Sequence, residues 1–365
     1  MKLALIGLPN SGKTTVFNAL TGLNLETTLY PTTAGEPHIG IVKVPDGRVD
    51  ELSRIFKPRK TTYATVEYVD FLGITKGDLA QNRKVFDVIK DADALVHIIR
   101  GFHDDAISHP DGSVDPIRDV ETVETELIFS DLELVEKRLQ RMEEGIKRGK
   151  KPDESEKRVL MKCREYLEKE IPLRLAVFDA EELRSMKHLQ FISILPVING
   201  VNVAESDLTK AVSSTIADKL HKSLQKHPHL NVVPPIILSG KIEMEIAQLP
   251  SDEAAEFLKD LGISEPARDR LIRESYSLLG LVSFFTVGED EVRAWTIRKG
   301  TFALTAAGKI HSDIERGFIR AEVISYPDFI RSGSMAAAKQ HGLLRLEGKN
   351  YIVRDGDIIN FRFNV

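Results

Sequence analysis

The sequence predicts an α/β protein that carries a long helical insertion and ends in a β-rich domain, and three observations support this prediction. The apolar run KLALIG at 2–7 is followed at once by a glycine-containing turn and then by helical spacing. Residues 121–192 keep helical spacing. From about residue 282 the apolar runs are short and separated by turns. Alternating strands and helices, interrupted by a helical stretch, indicate an α/β domain with an insertion.

The same patterns predict the domain boundaries. We place the first part of an α/β domain at 1–120, an inserted antiparallel helical hairpin at 121–192, the second part of the α/β domain at 193–281 and a separate C-terminal domain at 282–365. A chain of 365 residues is long enough for two or three domains with their own cores.

Composition excludes several classes of protein. The chain has 42% hydrophobic and 29% charged residues, a net charge of −5 and a pI near 6.1, so any contact with nucleic acid requires a local basic patch. A single cysteine, Cys163, excludes a disulfide framework and cysteine-based zinc sites. The apolar N-terminus is too short for a signal peptide, and no run of about 18 apolar residues occurs. We therefore expect a cytoplasmic protein with no membrane partner and no specific DNA target.

The residues GLPNSGKTT at 7–15 form the strongest motif. They lie between a strand and a helix, which is the context that the phosphate-binding loop G-x-x-x-x-G-K-T requires. Gly7 and Gly12 allow the backbone to wrap closely around phosphate oxygens. Lys13 is expected to reach the β- and γ-phosphates, and the Thr14 hydroxyl to bind Mg²⁺. The predicted phosphate-binding residues are Asn10, Ser11, Gly12, Lys13, Thr14 and Thr15.

A second motif, D-x-x-G, ends the strand YATVEYVD. Asp70 is expected to hold a Mg²⁺-bound water, and the Gly73 amide is expected to meet the γ-phosphate. Thr32 and Thr33 lie between the two motifs and are candidates for a switch hydroxyl on Mg²⁺; a turn-rich surface loop is the alternative there. The predicted metal ligands are Thr14, Thr33 and Asp70.

The tetrad Asn202-Val203-Ala204-Glu205 stands where a guanine-binding N-K-x-D sequence is expected. In a guanine site the aspartate accepts hydrogen bonds from two guanine N–H groups, and the lysine stem covers the base. Here valine replaces the lysine, and Glu205 is one methylene longer than aspartate, which moves its carboxylate away from guanine. The Asn202 amide can pair with N6 and N7 of adenine. We therefore predict a preference for ATP, with a base site formed by Asn202, Val203, Glu205, Ser239, Gly240 and Lys241.

Together these motifs resemble the YchF-type, Obg-like ATPases. The similarity includes GLPNSGKTT, YPTTAGEPHIGIVKVPDGRVDEL, NVAE, SGKIEMEIAQLPSDEAAEFLKDLGI and EVRAWTIRKGTFALTAAGKIHSDIERGFIRAEVI, and it extends to the final GDIINFRFNV. The resemblance implies a P-loop NTPase G-domain, a helical hairpin inserted into it and a C-terminal TGS domain of β-grasp type. It also implies ATP hydrolysis with Mg²⁺ and association with the ribosome, on its large subunit and through ribosomal RNA.

Catalysis requires a group that orients the attacking water. Ile74 occupies the position after D-x-x-G where related GTPases carry a glutamine for this purpose, and an isoleucine side chain cannot bind water. The resemblance implies that a loop histidine takes this role, and the matching residue in AISHPDGSVDP is His109. An imidazole can accept a proton or a hydrogen bond from water near neutral pH. A solvated loop histidine with no catalytic role is the alternative.

Two features depart from the family pattern. The segment ITKGDLAQNRKVF at 74–86 is shorter than the glycine-rich stretch of the family, so it is predicted to be more helical and less mobile. A gap-free alignment places Ala34 at the switch threonine position, with Thr33 beside it. These changes keep a protein that binds nucleotide without hydrolysing it among the alternatives.

Asn10 raises the question of a monovalent cation. It stands in a P-N-x-G-K pattern that, in potassium-activated relatives of this NTPase class, helps to ligate K⁺ beside the phosphates. A cation there would supply charge that an arginine supplies in other enzymes. Simple capping of the loop by Asn10 is the alternative.

The predicted hairpin has an apolar seam whose spacing alternates between four and three, as in coiled coils. The seam residues are Ile128, Leu132, Val135, Leu139, Met142 and Ile146, and after the break GKKPDES they are Leu160, Cys163 and Leu167. The stretch KRLQRMEEGIKRGKK at 137–151 contains seven basic and two acidic residues. Contact with ribosomal RNA phosphates is one interpretation of this charge, and a solvated helix face is the other.

The sequence as a whole predicts a P-loop NTPase that hydrolyses ATP slowly with Mg²⁺ and uses the nucleotide state to switch a partner interaction. Two alternatives stay open. One is a GTP-specific GTPase of the same fold, and the other is a non-catalytic nucleotide sensor on the ribosome.

Overall fold

The computed structural model describes residues 1–25, 36–151, 153–208, 210–225, 234–263 and 265–364. The strands are β1 (Lys2–Ile6), β2 (His38–Lys43), β3 (Lys60–Thr62), β4 (Thr65–Asp70), β5 (Ala94–Arg100), β6 (Val197–Asn202), β7 (Ile236–Leu238), β8 (Leu281–Thr286), β9 (Glu291–Arg298), β10 (Phe318–Ser325), β11 (Arg345–Glu347) and β12 (Asp357–Phe363). The helices are α1 (Lys13–Thr21), α2 (Gly47–Phe56), α3 (Leu79–Ile89), α4 (Pro116–Lys147), α5 (Glu154–Glu168), α6 (Ala180–Met186), α7 (Lys210–Gln225), α8 (Gly240–Gln248), α9 (Ser251–Asp260), α10 (Ala267–Leu278), α11 (Ala303–Ile310), α12 (Ser312–Arg316), α13 (Tyr326–Ser332) and α14 (Met335–Gln340). Within these described ranges, no helix combines the length and the apolar character needed to cross a bilayer.

The first sheet has the strand order β2-β4-β1-β5-β6-β7. β1 pairs in parallel with β4 and β5, and parallel pairing continues through β6 to β7. Every residue of β5 is buried, as expected for a strand at the centre of such a sheet. Ligands of open parallel sheets bind beyond the carboxyl ends of the strands. The predicted phosphate and base motifs follow β1, β4, β6 and β7, so the topology brings them to one edge.

The chain divides into two compact units, which differ from the predicted domain boundaries in two segments, 43–66 and 272–281. The first unit contains residues 1–42 and 67–271, and the second contains residues 43–66 and 272–365. The prediction had placed 43–66 in the nucleotide-binding domain, because that segment lies between its two motifs. In the structure β3 pairs in parallel with β9, with Lys60 opposite Glu291. Because β3 and β9 are far apart in the sequence, no local pattern of residues can show that they pair.

The hairpin consists of α4 and α5 within the first unit. Its seam packs largely as predicted: Ile128, Val135, Leu139, Leu160, Cys163 and Leu167 are buried in one cluster with Leu132 and Met142 against it, whereas Ile146 is 40% exposed. The helix begins at Pro116 rather than near 121, because the Asp115 carboxylate caps it by accepting from the Ile117 and Arg118 amides. Its first turns pack Val120 and Val123 into the core of the sheet. α4 is therefore part of the nucleotide-binding core before it becomes a hairpin.

The second unit contains the sheet β11-β10-β12-β8-β9-β3. β8 and β9 form an antiparallel hairpin, and β12 pairs in parallel with β8 and antiparallel with β10. Helix α11 packs Ala303, Ala306 and Ala307 into the same core as Phe284 and Phe361. A hairpin, a helix across the sheet and a final strand parallel to the first one form a β-grasp arrangement. The predicted fold class is confirmed.

His97 is a buried titratable group at the centre of the first sheet. It lies on β5 and is 1% exposed, and burial, with smaller contributions from the charges of Lys13 and Arg174, lowers its pKa from 6.5 to about 3. The neutral ring is the form that the fold accommodates. Folding stability is therefore unaffected by His97 above pH 6.5 and decreases as the pH falls from 6.5 toward 3, because only the unfolded chain binds the proton.

We expect the His97→Leu variant to have a weaker pH dependence of stability than the wild type. At pH 5 the proton bound by unfolded His97 costs the wild type about 2 kcal/mol of unfolding free energy, and the variant does not bear this cost. Urea unfolding at pH 5 and pH 7.5 gives the change in unfolding free energy with pH for each protein, and these two slopes are compared. The exposed His341→Leu variant is the control and should behave as the wild type. Equal slopes in the wild type and His97→Leu would show that His97 does not control acid stability.

Candidate nucleotide-binding site

The loop after β1 has the close-packed backbone that phosphate binding requires. Gly7 and Gly12 have φ angles of 148° and 88°, which favour glycine. A Cβ atom added to Gly7 would lie 2.3 Å from the carbonyl oxygen of Ile98, and one added to Gly12 would lie 2.2 Å from Nδ2 of Asn202. Neither position tolerates a side chain. The loop therefore presents bare backbone at the amino terminus of α1, where anions bind.

Lys13, Thr14 and Asp70 meet behind this loop. The Thr14 hydroxyl donates to Oδ2 of Asp70 at 2.8 Å, and the Lys13 ammonium donates to the Leu8 carbonyl at 3.1 Å. Lys13 is 7% exposed, and burial lowers its pKa, opposed by the nearby Asp70. Asp70 is 1% exposed, and burial raises its pKa, opposed by Lys13 and by the Thr14 hydrogen bond.

The same residues fit a magnesium ion. Oδ1 of Asp70 is buried and has no hydrogen-bond partner among the described residues, while the Thr14 hydroxyl is directed at the other carboxylate oxygen. Hard oxygen ligands of this kind are those that Mg²⁺ prefers, and a buried carboxylate oxygen is costly to leave unpaired. Thr33, the third predicted ligand, and its neighbours Thr32 and Ala34 lie outside the described residues.

Gly73 and Ile74 have different surroundings. A Cβ atom on Gly73 would lie 2.7 Å from the backbone nitrogen of Pro9, so the chain after β4 passes directly against the phosphate loop. The Ile74 amide donates to the Gly7 carbonyl at 2.9 Å, and its side chain is fully buried in the hydrophobic core. Ile74 therefore attaches the segment to the loop by its backbone, and its side chain points away from any bound phosphate.

The segment after Ile74 becomes helical within a few residues, as predicted from its loss of glycines. The Asp78 carboxylate caps α3 by accepting from the Gln81 amide. The Gln81 side chain donates to the Gly73 carbonyl and to the Thr75 hydroxyl, both at 2.9 Å. These bonds hold Gly73 and Thr75 to the start of the helix.

Asn202, predicted to bind the base, is buried and forms hydrogen bonds with the backbone through both polar atoms of its side chain. Its Nδ2 donates to the Ser11 carbonyl at 3.1 Å, and its Oδ1 accepts from the Gly240 amide at 2.9 Å. The residue is 5% exposed. Asn202 thus connects the phosphate loop to the turn before α8. Sequence spacing could not show these partners, which lie far away in the chain. The amide keeps a second N–H and a second oxygen lone pair, so its pairing with a base stays a prediction.

The remaining base-site residues separate into buried and exposed groups. Val203, which stands at the lysine position of a guanine-binding tetrad, is 2% exposed and packs with Ile99, Val120 and Val201. Glu205 is exposed at the start of a short 3₁₀ turn. Ser239 is 3% exposed, Gly240 is buried, and Lys241 is exposed at the amino end of α8.

The loop that carries His109 is held close to the phosphate loop. Arg100, at the end of β5, is 2% exposed and donates to the carbonyl oxygens of Phe102 at 3.1 Å and Ile107 at 2.9 Å. Asn10 donates from Nδ2 to the Ser108 carbonyl at 3.1 Å. Asn10 therefore connects the phosphate loop to the residue that precedes His109, and this contact uses its Nδ2 only.

His109 itself is not a solvated loop residue. Its side chain is 3% exposed, and Nε2 lies 2.9 Å from Oδ2 of Asp119, a carboxylate that is 2% exposed. The Nδ1 atom accepts from the Asp111 amide at 3.1 Å, and an Arg118 nitrogen lies 3.5 Å from the same atom. Both ring nitrogens are thus occupied. The turn at 109–112 must open before the imidazole can bind a water molecule.

Sequence reasoning missed Arg100, Asp119 and Phe102. Phe102 lies beside the site, because a Cβ atom on Gly12 would be 4.0 Å from its ring and the Arg100 guanidinium stacks on the ring at 4.6 Å. The charged end of β5 and the Asp-Pro pair at 115–116 were the available signals. The first marks a strand end and the second a helix start, and neither specifies a contact with His109.

The family comparisons agree with this architecture. A family model described as 50S ribosome-binding GTPase matches residues 2–133. The C-terminal model of the YchF GTPases, described as a protein of unknown function, matches residues 281–364. A protein of Bacillus subtilis named Ribosome-binding ATPase YchF is 43% identical over 99% of this chain and 98% of its own length. Its namesake in Pasteurella multocida is 41% identical over 100% of this chain and 99% of its own.

Solved structures show the same similarity. The structure of the Schizosaccharomyces pombe YchF GTPase matches with a TM-score of 0.84 and 30% identity, covering 99% of this chain and 97% of that one. A GTP-binding protein from Pyrococcus horikoshii matches with a TM-score of 0.60 over 100% of both chains at 16% identity, which indicates a shared fold alone.

Proposed function

This chain belongs to the YchF family of P-loop NTPases, and from that membership we propose that it is a Mg²⁺-dependent ATPase whose nucleotide state governs its binding to the ribosome. The observation that carries the proposal is the group of Lys13, Thr14 and Asp70 behind a loop of bare backbone. The bacterial relatives are named ribosome-binding ATPases, which supports a ribosomal partner and a cytoplasmic location for this chain.

Preference for ATP is argued from the end of β6. A guanine site needs a carboxylate fixed close to the two donor N–H groups of guanine, and Glu205 is instead an exposed side chain with one more methylene than aspartate. The missing bidentate contact costs guanine about 1–3 kcal/mol. The bacterial relatives are named ATPases, whereas the fission yeast structure is described as a GTPase, so GTP specificity is the competing function.

Direct titration of ATP and GTP tests this proposal, and Glu205→Asp is the informative variant. We expect the wild type to bind ATP more tightly and the variant to gain affinity for GTP by about tenfold at most. Val203→Lys is unsuitable, because it would bury an ammonium in the apolar cluster that holds Val203. The exposed Glu121→Asp variant on α4 is the control. Tighter wild-type binding of GTP than of ATP would favour the GTPase.

The residues of the loop account for phosphate binding and for charge neutralisation. Thr14 and Asp70 are the groups that would hold Mg²⁺, which neutralises charge on the β- and γ-phosphates when bound. Lys13, already desolvated, exchanges its contact with the Leu8 carbonyl for phosphate oxygens. The close approach of Gly73 to Pro9 supports the proposed contact of the Gly73 amide with the γ-phosphate.

We propose that His109 orients the attacking water after the 109–112 turn opens. The water oxygen forms a bond to the γ-phosphorus while the bond to the β–γ bridging oxygen breaks, which yields ADP and inorganic phosphate. Opening of the turn releases Nδ1 from the Asp111 amide and allows it to accept a hydrogen bond from that water. Ile74 cannot compete for this role, because its side chain is buried in the core.

The proposal for K⁺ rests on Asn10. Its Nδ2 binds the Ser108 carbonyl, which leaves Oδ1 of Asn10 and that carbonyl as neutral oxygen ligands next to the phosphate loop. If a cation binds there, ATP turnover is expected to be faster in K⁺ than in Na⁺ at equal ionic strength, and Asn10→Ala should abolish the difference. Steady-state rates in the two salts provide the measurement. Equal rates in K⁺ and Na⁺ for the wild type would leave Asn10 as a connector between two loops.

A further inference from the structure

Helix α4 contacts both segments on which the proposed hydrolysis depends. In its first turn Asp119 binds Nε2 of His109. Two turns further along, the Glu126 carboxylate accepts from the Gly77 amide and from Nδ2 of Asn82, both at 2.8 Å. Positions 119 and 126 are seven residues apart and lie on the same side of the helix. One side of a single helix thus holds the histidine loop and the segment that follows D-x-x-G.

The contact of Glu126 fixes the course of the chain after Gly73. Glu126 is 6% exposed and Asn82 is 1% exposed. The Asn82 amide also accepts from the Thr75 amide at 2.9 Å and donates to the Thr75 carbonyl at 2.7 Å. A buried carboxylate and amide that share several hydrogen bonds are costly to separate. Glu126 therefore holds Thr75 and Gly77 at a defined position relative to α4.

The contact of Asp119 differs from the other contacts of His109. Asp119 is buried on a capped helix and is also paired with Arg118 at 3.0 Å. The opposite ring nitrogen binds a backbone amide within a turn that is closed by the Gly112 amide donating to the His109 carbonyl at 3.0 Å. Helix α4, which carries Asp119, is the fixed partner of His109, and the 109–112 turn is the part that can open. When it opens, Asp119 still orients the ring and Nδ1 becomes free.

We propose that α4 is a common support for catalysis, in which Asp119 is the positioning residue for His109 and Glu126 is the positioning residue for the 73–78 segment. The Asp119 half rests on the proposed function of His109, whereas the Glu126 half does not. Because α4 continues as one helix into the hairpin, a displacement of the hairpin shifts both segments together.

Four substitutions, made singly and in combination, test this proposal on the full-length chain. Asp119→Asn and Glu126→Gln should each lower kcat for ATP by about tenfold or more, with less than a twofold change in ATP affinity. Glu121→Gln, on the exposed side of the same helix, should match the wild type. In a His109→Ala background, Asp119→Asn should cause no further loss, whereas Glu126→Gln should still lower kcat.

Hydrogen exchange gives a second measurement that does not depend on activity. Glu126→Gln should accelerate exchange of the Thr75 and Gly77 amides while the amides of the sheet remain protected. An increase in turnover for Asp119→Asn would identify Asp119 as a latch and overturn its positioning role. An equal loss with and without His109 would show that Asp119 is merely structural. If His109→Ala alone leaves kcat unchanged, the role of His109 and the Asp119 half fail together, and Glu126→Gln still decides the other half.

Discussion

Replacing His109 by alanine is expected to lower the ATP turnover of this protein by a factor of about 10²–10⁴ while ATP affinity stays nearly unchanged. Asn10 of the phosphate loop binds the carbonyl of Ser108, the residue before His109, whereas the imidazole itself contacts Asp119 on α4 and none of the residues described for the phosphate loop. Loss of kcat without loss of binding is the result expected for an interaction made mainly in the transition state. Single-turnover hydrolysis together with a nucleotide titration measures both quantities.

The control for this experiment is His103→Ala. His103 is exposed in the same loop after β5 and should leave both quantities unchanged. Equal turnover of the wild type and His109→Ala would return His109 to a structural role, in which its buried pair with Asp119 only closes the loop onto α4. A parallel loss of ATP affinity would show instead that the loop forms part of the nucleotide pocket.

Reversing the charge at the tip of the hairpin is expected to weaken binding to the ribosome by about 10²-fold at low salt. Lys147, Lys150 and Lys151 are exposed close to the Gly149 turn, where φ is 81°. Lysines that contact RNA phosphates displace counterions from the RNA. Their removal should therefore weaken binding and reduce the slope of log K against log salt concentration by about 0.7–0.9 per lost contact. Co-sedimentation of the Lys147→Glu, Lys150→Glu, Lys151→Glu triple variant over a range of KCl concentrations measures both effects.

A matched charge reversal separates local contact from bulk repulsion. Lys299, Lys339 and Lys349 are exposed in the C-terminal unit and change the net charge by the same amount when replaced by glutamate. An equal loss of binding in this control would mean that total charge, and not the hairpin tip, governs association. Unchanged binding of the tip variant would assign its basic residues to a solvated helix face.

The local sequence was sufficient for the phosphate loop and the hairpin seam. G-x-x-x-x-G-K-T requires backbone conformations that two glycines permit, and the structure gives Gly7 and Gly12 positive φ angles. The seam spacing of four and three specifies which side of a helix is apolar, and the burial of Val135 and Leu139 follows from it. Both features depend on residues within a few turns of one another, so their physical cause is contained in the local pattern.

Features that depend on distant partners were decided only by the tertiary structure. The amide of Asn202 was predicted to pair with a base, which stays a prediction, and only the structure shows that it also binds Ser11 and Gly240 and that Val203 is buried in the core. His109 was identified from its loop, but its buried partner Asp119 lies on α4. Residues 43–66 join the C-terminal unit because β3 pairs with β9. The type of a residue determines which bonds it can make, whereas the packing of the chain determines which partners reach it, and most buried polar groups find such a partner.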